Sequence, residues 1–175
     1  MFKILVLLTL GLVAFGSNLN VQKGEIVAHT EVFGDSKIDP STKEINSLLV
    51  MNDNVESIKG KIYFDTISLI SQKKDRDANM YELLNVEKYK TISFEITNIV
   101  KNEANYDING ILTLNGVKKN ITSKSEIIGE KDLISLNGGF SFNLTDFNLE
   151  PPTLLFLTVR NQIDISYNIV LNKVK

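Results

Sequence analysis

The chain carries one histidine, His29, in the segment EIVAHTEVF, with Thr30 and Glu31 beside it. A histidine next to a hydroxyl and a carboxylate is the raw material of acid–base or nucleophilic catalysis. The spacing works against that use. EIVAHTEVF reads as a strand, and neighbours on a strand point to opposite faces, so His29 and Thr30 cannot form a dyad locally. One reading makes His29 a hydrogen-bonded strand or rim residue; the competing one makes it the base of an enzyme acting on a lipid. Zinc asks for several histidine or cysteine ligands, and the chain has no cysteine. The carboxylates of DNVE (53–56) and DRD (75–77) lack the spacing and the glycine of an EF-hand loop. No glycine-rich phosphate loop occurs. The expectation is a protein with no catalytic residues, no metal and no cofactor.

The elements that carry these residues follow a leader-like segment. MFKILVLLTLGLVAFG has one basic residue, Lys3, then an apolar run from Ile4 to Phe15. Ala14 and Gly16 are small residues placed for cleavage before Ser17, the pattern of a secretory signal peptide over residues 1–16. A membrane anchor is the other reading, but the run is shorter than the roughly 20 residues that span a bilayer. Residues 17–175 suit a single domain, large enough to build a core without disulfides. A secreted chain without cysteine fits a bacterial periplasm best. The net charge is −2 with no basic block, so nucleic acid is not an expected partner, nor is stable membrane insertion once the signal is removed.

Four segments alternate with period two. TISFEITNIV puts Ile92, Phe94, Ile96 and Val100 on one face. NYDINGILTL does the same with Tyr106, Ile108, Leu112 and Leu114. LISLNGGFSFNLTDF aligns Ile134, Leu136, Phe140, Phe142 and Leu144, and QIDISYNIVLN aligns Ile163, Ile165, Tyr167, Ile169 and Leu171. GKIYFDTISLIS, GEIVAHTEVF, KEINSLLVM and VKKNITSKSEII are further strands, and TLLFLTV is a strand or a single helical turn. That makes about eight strands. Asn115-Gly116 is a hairpin turn, because a type I′ turn wants positive φ at both central residues. Long antiparallel strands in this number favour an all-β, up-and-down barrel. Gly110 and Gly138 sit in phase with the apolar faces; each marks either a bend or missing volume on the inner face. An outer-membrane barrel would also alternate, but the chain has no tryptophan for an aromatic girdle.

One segment breaks the pattern. DRDANMYELLNVEKY (75–89) carries a helical stripe of Met80, Leu83 and Leu84. Asn79 and Glu82 have the spacing of a capping box, which places the helix start near Met80. The expectation is one short helix over about residues 77–87, covering an open end or gap of the barrel and held by charge at Arg76 and Asp77.

Taken in order, GKIYFDTISLIS followed by RDANMYELL, then KYKTISFEITNI, YDINGILTLNGVKKNIT, GGFSFNLTDFNL and LTVRNQIDISYNIVL resemble the YceI-like family of bacterial periplasmic proteins. Arg76 and Asp77 fall on the family's Arg-Asp pair, Met80, Leu83 and Leu84 on its helix, and Leu112, Leu114 and Gly116 on its hairpin. His29-Thr30 stands where the family has His-Ser, but the residues after it are more polar, and Asn52, Asp53 and Asn54 are atypical. The resemblance implies a lipocalin-like barrel that carries a polyisoprenoid, an isoprenoid quinone precursor or a fatty acid or amide without a covalent bond. A homodimer is compatible with it. The ligand-binding set it points to is Phe94, Ile96, Ile108, Leu112, Leu114, Phe140, Phe142, Ile165 and Tyr167, with Met80 and Leu84 of the helix. The alternative is a ligand-free interaction or stress-response barrel with a packed core.

Overall fold

The computed structural model describes residues 16–32, 35–71, 73–154 and 157–174. Most of the leader-like segment, residues 1–15, lies outside the described residues. The strands are β1 (Ser17–Val32), β2 (Asp35–Ile38), β3 (Ser41–Thr42), β4 (Asn46–Met51), β5 (Lys59–Asp65), β6 (Thr91–Asn102), β7 (Asn105–Leu114), β8 (Val117–Glu130), β9 (Leu133–Asn143), β10 (Thr153–Leu154), β11 (Leu157–Thr158) and β12 (Gln162–Val174). One α-helix, α1 (Lys74–Leu83), separates β5 from β6.

Eight of these strands form a closed antiparallel barrel in the order β12-β9-β8-β7-β6-β5-β4-β1, and β1 pairs back onto β12. Closure removes the unpaired edges that an open sheet would expose. β1 is sixteen residues long. It lies along β12 from Asn18↔Val174 to His29↔Asp164, while its other side meets β4, then β3 and β2. The β7–β8 turn is the one expected: Asn115 and Gly116 both have positive φ, 50° and 71°.

The interior has two parts. At one end a cluster including Leu19, Leu49, Ile58, Ile134, Leu136 and Leu171 is fully buried and packed. At the other, Phe64, Leu69, Leu84, Leu112, Phe147 and Ile163 form a second cluster. Ile26 and Phe94 touch both. The apolar strand faces therefore point inward, as in a lipocalin-like barrel, rather than outward toward lipid.

Several expectations need correction. Ile99 is buried and Val100 exposed, the reverse of a strict alternation. A register shift between Ile96 and Asn98 inserts an extra residue against β7, and the pattern changes phase there. GKIYFDTISLIS is not one strand: β5 ends at Asp65 and a 3-10 turn, Thr66–Ser68, follows. TLLFLTV contributes the two short strands β10 and β11, and residues 155–156 between them lie outside the described residues.

The helix is also displaced from its expected place. It starts at Lys74, with Lys73 at the cap position and no side-chain cap, so Asn79 and Glu82 form no capping box. The first turn is held instead by Asp77, whose Oδ1 accepts the Ser71 amide at 2.7 Å. Asp75 and Asp77 place negative charge at the positive end of the helix dipole. The far end is a Schellman motif: Asn85 has φ 49°, its amide donates to Glu82 O, and the Val86 amide donates to Tyr81 O. No residue within α1 is buried; Leu84, just past its end, is. Met80 and Leu83 are half-buried against the second cluster.

Candidate functional site: an apolar cavity in the barrel

Above the packed end the barrel holds a cavity of about 950 Å³. Its walls come from the inward faces already named. β6 supplies Phe94 and Ile96; β7 supplies Ile108, Leu112 and Leu114; β9 supplies Phe140 and Phe142; β12 supplies Ile165 and Tyr167. Met80, Leu83 and Leu84 line it from the helix side. All eleven residues that the sequence singled out thus stand on one continuous surface. The floor is made by Ile96, Ile108, Leu136 and Ile169, which belong to the packed cluster. The mouth is marked by lining residues that are also exposed to solvent: Lys73, Lys74, Asp75, Asn79 and Glu82 along α1, with Pro152 and Thr153.

A row of aromatic rings runs from the cavity into the barrel end. Phe94 and Phe140 stack at 5.9 Å, Phe140 and Phe142 tilt at 6.4 Å, and Phe142 meets Phe147 edge-on at 5.1 Å. Such pairs add stability beyond the area they bury. They also fix the wall's shape before any ligand arrives.

The two inward glycines do not leave holes. A Cβ on Gly110 would collide with the Phe94 ring, which already occupies that space. A Cβ on Gly138 would lie 2.7 Å from the Tyr167 hydroxyl. Each glycine accommodates an aromatic side chain from a neighbouring strand. The open volume arises elsewhere, between the walls.

Sequence reading missed part of the lining. Ile26, Ala28 and Thr30 of β1 face the cavity, and Leu69 contributes from the loop before α1. β1 runs through Gln22, Lys23 and Gly24, which hide its alternation, and Leu69 follows a 3-10 turn that carries no strand period.

His29 lies between the cavity-lining Ala28 and Thr30 but is not itself part of the lining. Its Nδ1 lies 2.5 Å from Asp39 Oδ1, a rim contact that ties β1 to the segment after β2. Around the corner, Arg160 pairs with Glu31 at 3.1 Å and also with Asp164. Thr30 Oγ1 donates to Arg160 O at 3.4 Å. Among the described residues there is no cluster of three or more histidine or acidic side chains able to hold a metal.

Asp164 of β12 joins β9 and the segment before β12 at this rim. Ser141 and Gln162 donate to its Oδ1 at 2.6 and 2.7 Å, and Arg160 donates to Oδ2. The Ser141 hydrogen bond first, then that of Gln162, then Arg160, hold its pKa down at about 2. A depressed carboxyl stabilises the fold above its unfolded pKa, near 3.8, and that contribution is lost as pH falls toward 2. The side chain is 36% exposed, so solvent screening reduces the effect to about 1 kcal/mol. Asp164→Asn is expected to cost that much at pH 7 in urea unfolding, with the gap to the parent closing near pH 2.

A family model for the YceI-like domain matches residues 18–171, nearly the whole described barrel. The chain belongs to the YceI-like family. Curated relatives include a UPF0312 protein of Pseudomonas aeruginosa, 30% identical over 105 residues, which covers 57% of this chain and 55% of the relative. A UPF0312 protein of Serratia proteamaculans is 39% identical over 74 residues, 41% of this chain and 38% of the relative. The chain spans about half the length of the curated relatives it matches. Among solved structures, BcnA of Burkholderia cenocepacia superposes with a TM-score of 0.74 at 14% identity, covering 84% of this chain and 95% of that one. The YceI protein of Campylobacter jejuni gives 0.62 at 16% identity, covering 100% and 92%. These likenesses establish a shared YceI-like barrel, a binding type of fold consistent with an apolar ligand.

Proposed function

We propose that this YceI-like barrel is a periplasmic carrier that holds one long apolar lipid, without a covalent bond, in its central cavity. The observation that carries the reading is the apolar cavity of about 950 Å³, at the upper end of the roughly 300–1,000 Å³ typical of ligand sites. Burial supplies the affinity, at about 25 cal/mol per Å² of apolar surface removed from water. Phe94, Ile96, Ile108, Leu112, Leu114, Phe140, Phe142, Ile165, Tyr167, Met80 and Leu84 are the contacts. A polyisoprenoid, a quinone precursor or a fatty acid or amide is the class of ligand that such a wall accepts. The leader-like residues 1–16 and the absence of cysteine support the location. The competing picture, a barrel packed throughout, draws its support from the two buried clusters.

The test is native mass spectrometry and lipid extraction on protein purified from its own organism. Co-purified lipid is the expected result. After delipidation, an isoprenoid quinone or a fatty acid at a hundred times its Kd should raise the unfolding free energy by about 2.7 kcal/mol. A cavity that is empty in repeated preparations and takes up neither lipid would overturn the proposal.

A further inference from the structure

Ser125, Gly138 and Tyr167 stand side by side on β8, β9 and β12. Ser125 pairs with Gly138, and Gly138 pairs with Tyr167. With no side chain at Gly138, Tyr167 reaches across β9. Its hydroxyl lies 2.5 Å from Ser125 Oγ and 2.7 Å from Ser123 Oγ. Both serines are almost fully buried, at 3% and 1% exposure. Tyr167 and Ser123 line the cavity next to its floor.

Ser123 donates to Gly139 O at 3.0 Å. Ser123 Oγ and Ser125 Oγ also lie 3.4 Å apart, and one arrangement that satisfies the cluster has Tyr167 donating to Ser123 and accepting from Ser125. In that arrangement all three hydroxyl protons are committed, while lone pairs on Ser123 and Tyr167 are not. Burial pushes the Tyr167 phenol pKa up, so the group stays neutral. The cationic side chains that line the cavity, Lys73, Lys74 and Arg76, all belong to α1 and its cap at the mouth. The deep polar spot therefore offers acceptors, no spare donor and no positive charge.

A ligand end that suits it must bring a donor and no charge. A carboxylate would place charge against lone pairs in an apolar cavity, a costly arrangement. A primary amide brings N–H groups but strands its carbonyl oxygen. A hydroxyl satisfies the site with least left over. We propose that Ser123 and Tyr167, backed by Ser125, receive the hydroxyl end of a long-chain alcohol that enters head first, its chain running past Phe140 and Phe142 toward α1. This rests on the carrier reading above and adds the head group and the direction of entry.

The test compares oleyl alcohol, oleamide, oleate and 1-octadecene in displacement titrations of a fluorescent apolar dye from the delipidated protein. Oleyl alcohol should bind tightest. Tyr167→Phe and, separately, Ser123→Ala should weaken the alcohol about 5- to 10-fold, the worth of one good hydrogen bond. Both should leave octadecene within about twofold. Ser123→Ala keeps the phenol, and melting curves on both variants report whether the barrel stays folded. Binding of all four compounds with equal affinity, or equal losses for alcohol and hydrocarbon in both variants, would overturn the head-group assignment and leave the carrier reading standing. Binding of none would overturn both.

Discussion

Phe147→Ala should lower the unfolding free energy by about 3–5 kcal/mol and the melting temperature by about 10 °C. Phe147 is completely buried. It sits on the 3-10 turn Leu144–Phe147, which Asn148 ends in the left-handed region. Asn115 Nδ2 donates to Phe147 O at 3.0 Å, tying this turn to the β7–β8 hairpin. Removing the ring leaves a void against Phe142, which Phe147 meets edge-on. Phe142→Ala is the informative contrast. Its ring already faces open space, so truncation enlarges a cavity that exists and forfeits fewer contacts. It should cost less than half as much and should weaken lipid uptake. Urea unfolding of both variants measures the difference. Equal costs would mean that the interior is filled in solution, which favours the packed-barrel alternative.

The second large effect concerns the helix. Met80→Ser combined with Leu84→Ser should speed lipid release by about 10- to 100-fold while the barrel stays folded. Burying a Leu or Met side chain contributes about 1.5–3 kcal/mol, and these two side chains face the cavity. Hydrogen bonds also hold the helix to the segment before it. The Tyr81 hydroxyl reaches Leu69 O at 2.7 Å and Ile67 O at 3.0 Å, and Asp77 holds the Ser71 amide. Burial, with Asp77 nearby, raises the Tyr81 pKa, so this tether persists through neutral pH. Stopped-flow transfer of a fluorescent lipid to acceptor vesicles reads the release rate. Unchanged retention would reduce α1 to a connection between β5 and β6.

The parts of the fold that were legible in the sequence are those where a strand repeats its period without interruption. β7 and β12 read correctly from end to end because no bulge disturbs their inward faces. β6 misled after Ile96, since one extra residue reverses every later side chain and nothing in TNIV announces it. Turns were legible where glycine or proline advertised them, as at Asn115-Gly116 and at Asp39-Pro40 between β2 and β3. Glu103 and Lys131 adopt the same positive φ as Asn115 in the β6–β7 and β8–β9 connections, yet neither residue type signals a turn. The helix start was misplaced because Asn79 and Glu82 had the right spacing for a cap, whereas the actual tie is an aspartate reaching back across the loop. The cavity walls could be read from alternation. The hydroxyl cluster could not, because Ser123 and Ser125 look like outward polar residues until register sets them beside Tyr167.

The seam between β1 and β12 governs how the chain can fold. These strands lie at opposite ends of the sequence, so the pairing from Asn18 to His29 waits until β12 has been made. The long loop between them makes that contact late and slow. Until then β1 has a free edge and the half-built barrel exposes its apolar lining, the circumstances in which chains aggregate. Refolding at rising protein concentration should therefore lose yield before the β1–β12 seam closes. A holding chaperone that shields β1 should restore it.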